Sequence, residues 1–223
     1  MTTTWKQIPG ALTRISAGSE ANVWGVNSAG NIYHYDNVEA NWVQIPGALS
    51  DIGSAADGTV WGVNAAGNIY RYAHNGGWTQ IPGALKRITA GAKTCVWGVN
   101  AAGNIYRYTQ NDANPWIQIP GALADIGAAA DGTVWGVNAA GNIYRYSDAG
   151  NWTQVSGALT AISAGSRSNV WGVNAAGNIY AYTQDDATPW SQIPGGLSDI
   201  GAGADGTVWG VNSAGNIYRY SRG

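Results

Sequence analysis

The segment VWGVNAAGNIYRY, at residues 60–72, occurs six times along this chain of 223 residues, with at most two changes per copy. All twelve tryptophans fall into two series whose members are 37, 36, 38, 36 and 38 residues apart. The first series is Trp5, Trp42, Trp78, Trp116, Trp152 and Trp190, and the second is Trp24, Trp61, Trp97, Trp135, Trp171 and Trp209. The chain is therefore an array of six units, each of which must pack against its neighbours to bury its apolar faces.

Each unit shows the pattern of short β-strands. In residues 78–108, the stretches WTQIPG, LKRITAG, CVWGVN and NIYRY are rich in β-branched and aromatic residues and are separated by turn sequences. The Ala-Ala-Gly turn ends in a glycine that tolerates a left-handed backbone, and the Asp-Gly of ADGT is typical of a tight hairpin. We predict an all-β fold, a six-bladed β-propeller of four-stranded antiparallel blades that forms a single domain over residues 1–223.

The order of the strands predicts how the ring closes. The chain begins with WKQIPG, the last strand of a unit, and ends with NIYRY, the strand that precedes it in every other unit. We therefore expect the first strand to complete the last blade beside residues 216–220 and to cover an open sheet edge.

Composition excludes several classes of function. Only 11% of the residues are charged, the net charge is −2, and the Lys and Arg residues are scattered, so we expect no nucleic-acid partner. Cys95 is the only cysteine, and no spacing suggests a metal ligand set, so no metal or cofactor is expected. No secretory leader and no apolar run of about 20 residues is evident, which favours a cytoplasmic protein without membrane insertion.

The consensus WxQIPGALxxIxAG…VWGVNxAGNIYRY resembles the tectonin repeat over essentially the whole chain. The resemblance is strongest to mushroom lectins of that family, which recognise O-methylated glycans. It implies a multivalent carbohydrate-binding protein that recognises terminal methylated mannose or fucose on nematode and bacterial glycoproteins, glycolipids or lipopolysaccharide, as fungal defence. The oligomeric state, including a possible homo-oligomer, is left open by the sequence.

The tryptophans of VWGVN are the first candidates for sugar binding. They are Trp24, Trp61, Trp97, Trp135, Trp171 and Trp209. A ring in mid-strand either lies in the core between blades or lines a groove where it stacks on a sugar. The glycine that follows, for example Gly62, leaves a notch that a methyl group or a neighbouring blade could fill.

The variable position of NIYxY supplies the second set of candidates. It is occupied by His34, Arg71, Arg107, Arg145, Ala181 and Arg219. Alternation places it on the face of the isoleucine and opposite both tyrosines. An Arg there suits vicinal hydroxyls, but it could equally form a salt bridge between blades or extend to solvent. If it binds sugar, the arginine units bind best, the His34 unit weakly and the Ala181 unit poorly.

The asparagine that ends VWGVN is the third candidate. It occurs as Asn27, Asn64, Asn100, Asn138, Asn174 and Asn212. It could bind a sugar hydroxyl or bond to the backbone of its own turn.

One further position alternates in charge. The residue before the isoleucine of the first strand is Arg14, Asp51, Arg87, Asp125, Ala161 or Asp199. These residues either form a charged ring around the central channel, broken at Ala161, or point to solvent at its mouth.

An enzyme and a protein-interaction scaffold have weaker support from the sequence. An enzyme needs a singular group of unlike residues, whereas Cys95, His34 and His74 lie in different units and Asp185-Asp186 reads as a solvated loop pair. We therefore expect no catalytic activity. A protein-interaction scaffold without sugar binding is the alternative to the lectin.

Overall fold

The computed structural model describes residues 4–73, 77–147 and 149–221; His74 lies outside them. It consists of six separate four-stranded antiparallel sheets, which confirms the predicted six-bladed, all-β propeller. Among the described residues, no helix is long and apolar enough to cross a membrane.

The strands occupy equivalent positions in the six blades. The first strands are β2 (Arg14–Ser19), β6 (Asp51–Ser54), β10 (Arg87–Ala92), β14 (Asp125–Ala128), β18 (Ala161–Ser166) and β22 (Asp199–Ala202). The second strands are β3 (Asn22–Val26), β7 (Val60–Val63), β11 (Cys95–Val99), β15 (Val134–Val137), β19 (Asn169–Val173) and β23 (Val208–Val211). The third strands are β4 (Ile32–Asp36), β8 (Ile69–Ala73), β12 (Asn104–Tyr108), β16 (Ile143–Tyr146), β20 (Ile179–Tyr182) and β24 (Ile217–Ser221).

The fourth strands complete the blades at the rim. They are β5 (Asn41–Ile45), β9 (Gly77–Ile81), β13 (Trp116–Ala122), β17 (Trp152–Val155), β21 (Trp190–Ile193) and, in the sixth blade, β1 (Thr4–Ile8). Strand β1 pairs antiparallel with β24 from Thr4 opposite Ser221 to Ile8 opposite Ile217, as the strand order predicts. We number the blades 1 to 6 from the one that begins with β2.

Aromatic triads hold neighbouring blades together. Trp61 of blade 2 packs on Tyr108 and Trp116 of blade 3, with ring centroids 4.8 and 5.9 Å apart. Equivalent contacts recur at the other five boundaries. The core thus lies between blades, which is why each unit repeats the same Trp and Tyr.

Antiparallel order gives the disc two different faces. We call the face with the connections from first to second and from third to fourth strands the loop face. The turn face carries the Ala-Ala-Gly turns and the Pro-Gly connections between units. The glycines of the Ala-Ala-Gly turns have φ between 82 and 87°, as predicted.

The alternating charges form a ring around the channel. Arg14 lies 3.4 Å from Asp199 and 3.9 Å from Asp51, and Arg87 lies 3.8 Å from Asp51 and 3.5 Å from Asp125. The aspartates also join blades through the backbone, since an oxygen of Asp125 accepts the N–H of Ile162 at 2.9 Å. The ring alternative is therefore the one observed, and it is open at Ala161.

We expect Ala161→Arg to close this ring and to stabilise the protein at neutral pH. Burial, together with the charges of Asp199 and Asp51, raises the pKa of Asp125 to about 7, although Arg87 opposes the shift. Because this pKa exceeds the unfolded value of about 3.9, the stability that Asp125 contributes is complete below pH 4 and is lost as the pH rises through 7. A guanidinium beside Asp125 favours its charged form.

The gain from Ala161→Arg is expected to be about 1 kcal/mol at pH 8 and smaller at pH 5. Urea unfolding of the two proteins at both pH values measures it. A gain of the same size at pH 5 and pH 8 would contradict this account of Asp125.

Candidate functional site

The arginines of NIYxY lie above the buried tryptophans. Arg71 is paired across strands with Trp61, and its Cζ atom lies 5.5 Å from the centre of the indole ring. The same arrangement holds for the pairs Arg107 and Trp97, Arg145 and Trp135, and Arg219 and Trp209, at 5.8, 5.3 and 5.7 Å. A cation at this distance is attracted by the ring, so each guanidinium is positioned at the boundary with the next blade.

A groove opens on the loop face between blades 2 and 3. It encloses about 1020 Å³ and is lined from blade 2 by Asp57, Trp61 and Arg71, and from blade 3 by Lys93 and Tyr108, with the loop at residues 110–112 above them. This volume is at the upper limit of the range for small-molecule sites in proteins.

A charge pair spans this groove. Arg71 donates from Nη1 and Nη2 to the two carboxylate oxygens of Asp112 at 3.0 and 2.9 Å, and from Nη1 to the Tyr108 hydroxyl at 3.1 Å. Tyr108 in turn donates to Asp112. The hydrogen bonds from Arg71 and Tyr108 hold the pKa of Asp112 below its usual range, and the pair raises the pKa of Arg71.

The boundary between blades 4 and 5 repeats this side-chain geometry. Arg145 donates to Asp186 at 3.1 and 2.8 Å and to the Tyr182 hydroxyl at 2.9 Å, and Tyr182 donates to Asp186 at 2.6 Å. Between blades 6 and 1, Arg219 instead pairs with Glu20, which lies on the loop that joins β2 to β3. The salt-bridge alternative is thus observed for three of the predicted arginines.

The other three boundaries lack this charge pair in the part of the chain that the structure describes. The ring centroids of His34 and Trp24 lie 4.7 Å apart, and burial lowers the pKa of His34. Arg107 lies over Trp97 with its side chain exposed, and Ala181 leaves Trp171 without such a cover. Among the described residues, the arginine–carboxylate pair thus occurs at three boundaries, those between blades 2 and 3, 4 and 5, and 6 and 1.

All six predicted tryptophans lie in the core, with at most 3% of their surface exposed. Trp24 and Trp171 donate their indole N–H to Asn22 and Asn169 of the same strands, whereas those of Trp135 and Trp209 are buried without a partner among the described residues. Of the two alternatives, the core is observed. A ligand would meet these rings at an edge, beside the guanidinium or phenol that covers them.

The predicted asparagines lie at the opposite ends of their strands. Oδ1 of Asn64 accepts the backbone N–H of Ala66 at 3.0 Å and of Asn68 at 2.9 Å, and the other five repeat this turn. Four of them border two depressions on the turn face: Asn174 and Asn212 one, and Asn64 and Asn100 the other. The structure therefore does not bring Asn27, Asn64, Asn100, Asn138, Asn174 or Asn212 to the arginines.

The notch beside the tryptophan is already filled. A Cβ atom on Gly62 would lie 2.3 Å from a methyl carbon of Leu49, in the connection that precedes β6. The equivalent leucine fills the notch in the other five units: Leu12, Leu85, Leu123, Leu159 and Leu197. The expectation that a ligand methyl group or a neighbouring blade fills this notch is wrong.

The carboxylates over the grooves escaped the sequence analysis. Asp186 was interpreted as solvated, but it pairs with Arg145, while its neighbour Asp185 accepts the backbone N–H of Ala187 at 2.9 Å. One signal was available: Asp112 and Asp186 occupy the same place in TQNDANP and TQDDATP, 41 residues after Arg71 and Arg145. No group of three or more potential metal ligands occurs within residues 4–73, 77–147 and 149–221.

The fold and these boundaries define a six-bladed propeller with repeated polar grooves between its blades. The model of the Tectonin domain matches residues 1–116, 34–184 and 112–223, and so spans the chain. The chain therefore belongs to the tectonin family. No curated protein matches it in sequence.

Solved structures share the fold at low identity. A virginiamycin B lyase from Staphylococcus aureus is 18% identical over 95% of this chain and 80% of its own, with a TM-score of 0.65. A streptogramin B lyase is 16% identical over 99% of this chain and 97% of its own, with a TM-score of 0.68. YCF48, bound to a D1 peptide, is 13% identical over 98% of this chain and 95% of its own, with a TM-score of 0.63. These likenesses concern the fold alone.

Proposed function

We propose that this protein is a multivalent lectin whose sugar sites are the grooves between blades on the loop face. The observation that carries the proposal is the repeated arrangement of a guanidinium over a buried indole, with a neighbouring tyrosine at the same boundary. Sugars combine hydroxyls with patches of C–H, and such a groove offers fixed donors beside an aromatic wall.

Repetition supports multivalent binding. A single sugar site typically binds at about millimolar concentration, near −4 kcal/mol. Several such sites on one disc raise the avidity for a dense glycan surface by about 10²- to 10⁴-fold. Near-identity of the units is consistent with selection for several sites on one disc, although the fold also requires repetition.

We further propose that the preferred ligands are terminal O-methylated sugars, methylated mannose or fucose, on nematode and bacterial glycans. The protein would then be a cytoplasmic defence lectin of a fungus. Tyr72, a half-buried aromatic residue in the lining beside Arg71, gives an O-methyl group an apolar contact next to the polar cluster. Burial of one methyl group contributes about 0.8 kcal/mol, a several-fold preference over the free hydroxyl.

Calorimetric titration with methyl 4-O-methyl-α-mannoside, and with methyl α-mannoside beside it, tests the proposal. We expect the methylated sugar to bind several-fold more tightly and at more than one site per chain. Equal binding of both sugars would contradict the preference for methylation. No binding of either, or of a wider glycan panel, would contradict the lectin and favour the interaction scaffold, for which the peptide-bound YCF48 is the structural parallel.

Replacing Arg71, Arg107, Arg145 and Arg219 together by alanine should weaken binding of the methylated mannoside about ten-fold or more. The physical reason is the loss of the donors that face each groove. Lys86→Ala is the control for loss of positive charge, because Lys86 precedes β10 on the turn face, away from these grooves. Unchanged binding in the four-arginine variant would remove the grooves from the proposal.

A further inference from the structure

We propose that the grooves between blades 2 and 3 and between blades 4 and 5 are a matched pair of sites for an uncharged sugar with free hydroxyls on adjacent carbons. Asp112 and Asp186 are their specificity-determining residues. The inference rests on the proposed lectin function and divides its grooves into two classes.

The two loops that carry these aspartates have the same internal structure. Thr109 donates its hydroxyl to the carbonyl of Asn114, and Thr183 donates to that of Thr188, both at 2.6 Å. Each loop also closes with a backbone hydrogen bond to its proline, to Pro115 and Pro189.

A strained backbone position recurs in both loops. Gln110 has a φ of 67° and Gln184 a φ of 69°, and residues other than glycine rarely adopt such positive values. Gln110 itself lines the groove. Such strain tends to persist where function requires a fixed conformation, and in both loops it lies two residues before the aspartate.

The charge pair retains unused hydrogen-bonding capacity. Arg71 makes three donations, to Asp112 twice and to Tyr108 once, and has five N–H groups. The Arg71 side chain is 36% exposed and that of Asp112 48%. Nη2 and Oδ2 lie 2.9 Å apart, so a free donor and a free acceptor lie side by side. This matches two neighbouring hydroxyls, one of which accepts while the other donates.

The charges around the groove favour an uncharged ligand. Arg71 and Lys93 balance Asp57 and Asp112 along the lining. Both carboxylate oxygens of Asp57 already accept backbone hydrogen bonds, from the N–H of Lys93 at 2.7 Å and of Thr59 at 2.9 Å. An anionic sugar would have to compete with Asp112 for Arg71, which is already held by two hydrogen bonds.

The same balance holds at the second groove. Arg145 pairs with Asp186, and Asp131 accepts the backbone N–H of Arg167 at 2.7 Å. The groove between blades 6 and 1 differs, because the carboxylate that pairs with Arg219 is Glu20, on the loop between β2 and β3. It therefore serves as an internal comparison.

The test is an NMR titration of the full chain with methyl 4-O-methyl-α-mannoside, in which the indole N–H signals are followed. Trp61 and Trp135 report on the matched pair, and Trp209 reports on the groove between blades 6 and 1. We expect Asp112→Asn together with Asp186→Asn to weaken the response at Trp61 and Trp135 about ten-fold or more, and that at Trp209 much less.

Asp185→Asn is the matched control. It removes one negative charge from the residue next to Asp186. In the other loop this position is already Asn111, whose Oδ1 accepts the backbone N–H of Ala113 as Oδ1 of Asp185 accepts that of Ala187. Binding should be unchanged in this variant. Circular dichroism and thermal unfolding establish that all variants are folded.

The ligand supplies a second, independent measurement on the unmodified protein. In the 4-O-methylated probe the only adjacent free hydroxyls are those on carbons 2 and 3. The 2-deoxy and 3-deoxy analogues should each bind about ten-fold more weakly at Trp61 and Trp135, whereas the 6-deoxy analogue should bind normally. The analogue with a carboxylate at carbon 6 should bind no more tightly.

Failure of the inference is distinguishable from failure of the lectin function. If the unmodified protein binds the mannoside but the double aspartate variant binds it equally well, only the role of Asp112 and Asp186 is overturned. Tighter binding of the carboxylate analogue would likewise overturn the preference for an uncharged sugar. If no sugar binds to the unmodified protein, the proposed function falls and the inference falls with it.

Discussion

Deletion of residues 1–8 should lower the melting temperature by about 10 to 20 °C or prevent stable folding. Strand β1 is the fourth strand of blade 6, paired with β24 over five residues. Its removal exposes the edge of β24 and uncovers the boundary between blades 5 and 6. The closed ring would become an open array with a free strand edge, which also favours aggregation.

The size of the effect follows from the contacts of β1. Ile8 is 7% exposed, and Trp5 packs against Trp171 and Tyr220 with ring centroids 6.3 and 5.0 Å away. The Trp5 indole also donates to the carbonyl of Pro194 at 3.0 Å. Loss of two apolar side chains, an aromatic cluster and five residue pairs amounts to about 5 kcal/mol, comparable with the whole stability of many domains.

Thermal and urea unfolding of the truncated and full chains measure this effect. A synthetic peptide of residues 1–12 added in trans should restore part of the lost stability, because the strand is held by non-covalent contacts. The same peptide with Trp5→Ala and Ile8→Ala is the control and should not. A truncated protein as stable as the full chain would show that β1 does not close the ring.

The second large effect is expected for Gly165→Ala, which should destabilise the protein by about 3 kcal/mol or more. A Cβ atom on Gly165 would lie 2.1 Å from the carbonyl oxygen of Gly203 and 2.3 Å from its carbon. Both atoms belong to the backbone of the next blade, which cannot move without separating blades 5 and 6. Gly18 and Gly91 make the same approach to Ala55 and Ala129.

Gly196→Ala provides the matched control. Nothing lies within 4 Å of a Cβ atom at Gly196, and its backbone is not left-handed. The other five units have alanine at this position, in PGAL or SGAL. The substitution should leave stability unchanged or raise it by up to about 1 kcal/mol through the unfolded chain. Equal urea midpoints for Gly165→Ala and Gly196→Ala would contradict the close-approach argument.

The local sequence was sufficient for most of the fold. The tryptophan period predicts six units, the β-branched and aromatic runs predict four strands, and the offset at the two ends predicts the pairing of β1 with β24. These features follow from alternation and turn chemistry, which act over a few residues. The turn role of the asparagines was also foreseen for the same reason, as one of two alternatives.

The sites were only partly predictable. Alternation correctly places Arg71 on the face of Ile69, and the register then sets it opposite Trp61. The pairing with Asp112 depends on which loop of blade 3 reaches over blade 2, and sequence spacing within one unit contains no such information. The notch at Gly62 was misinterpreted for a similar reason, since Leu49 enters it from the connection before β6.

By itself, the sequence determined the repeat, the strands, the turns and the closure of the ring, because each depends on short-range pattern and backbone geometry. Only the tertiary structure decided which side chains meet across blades. These are the aromatic triads, the charged ring open at Ala161, and the charge pairs Arg71–Asp112 and Arg145–Asp186. Those contacts join residues about one repeat apart, and their approach is set by how neighbouring sheets pack.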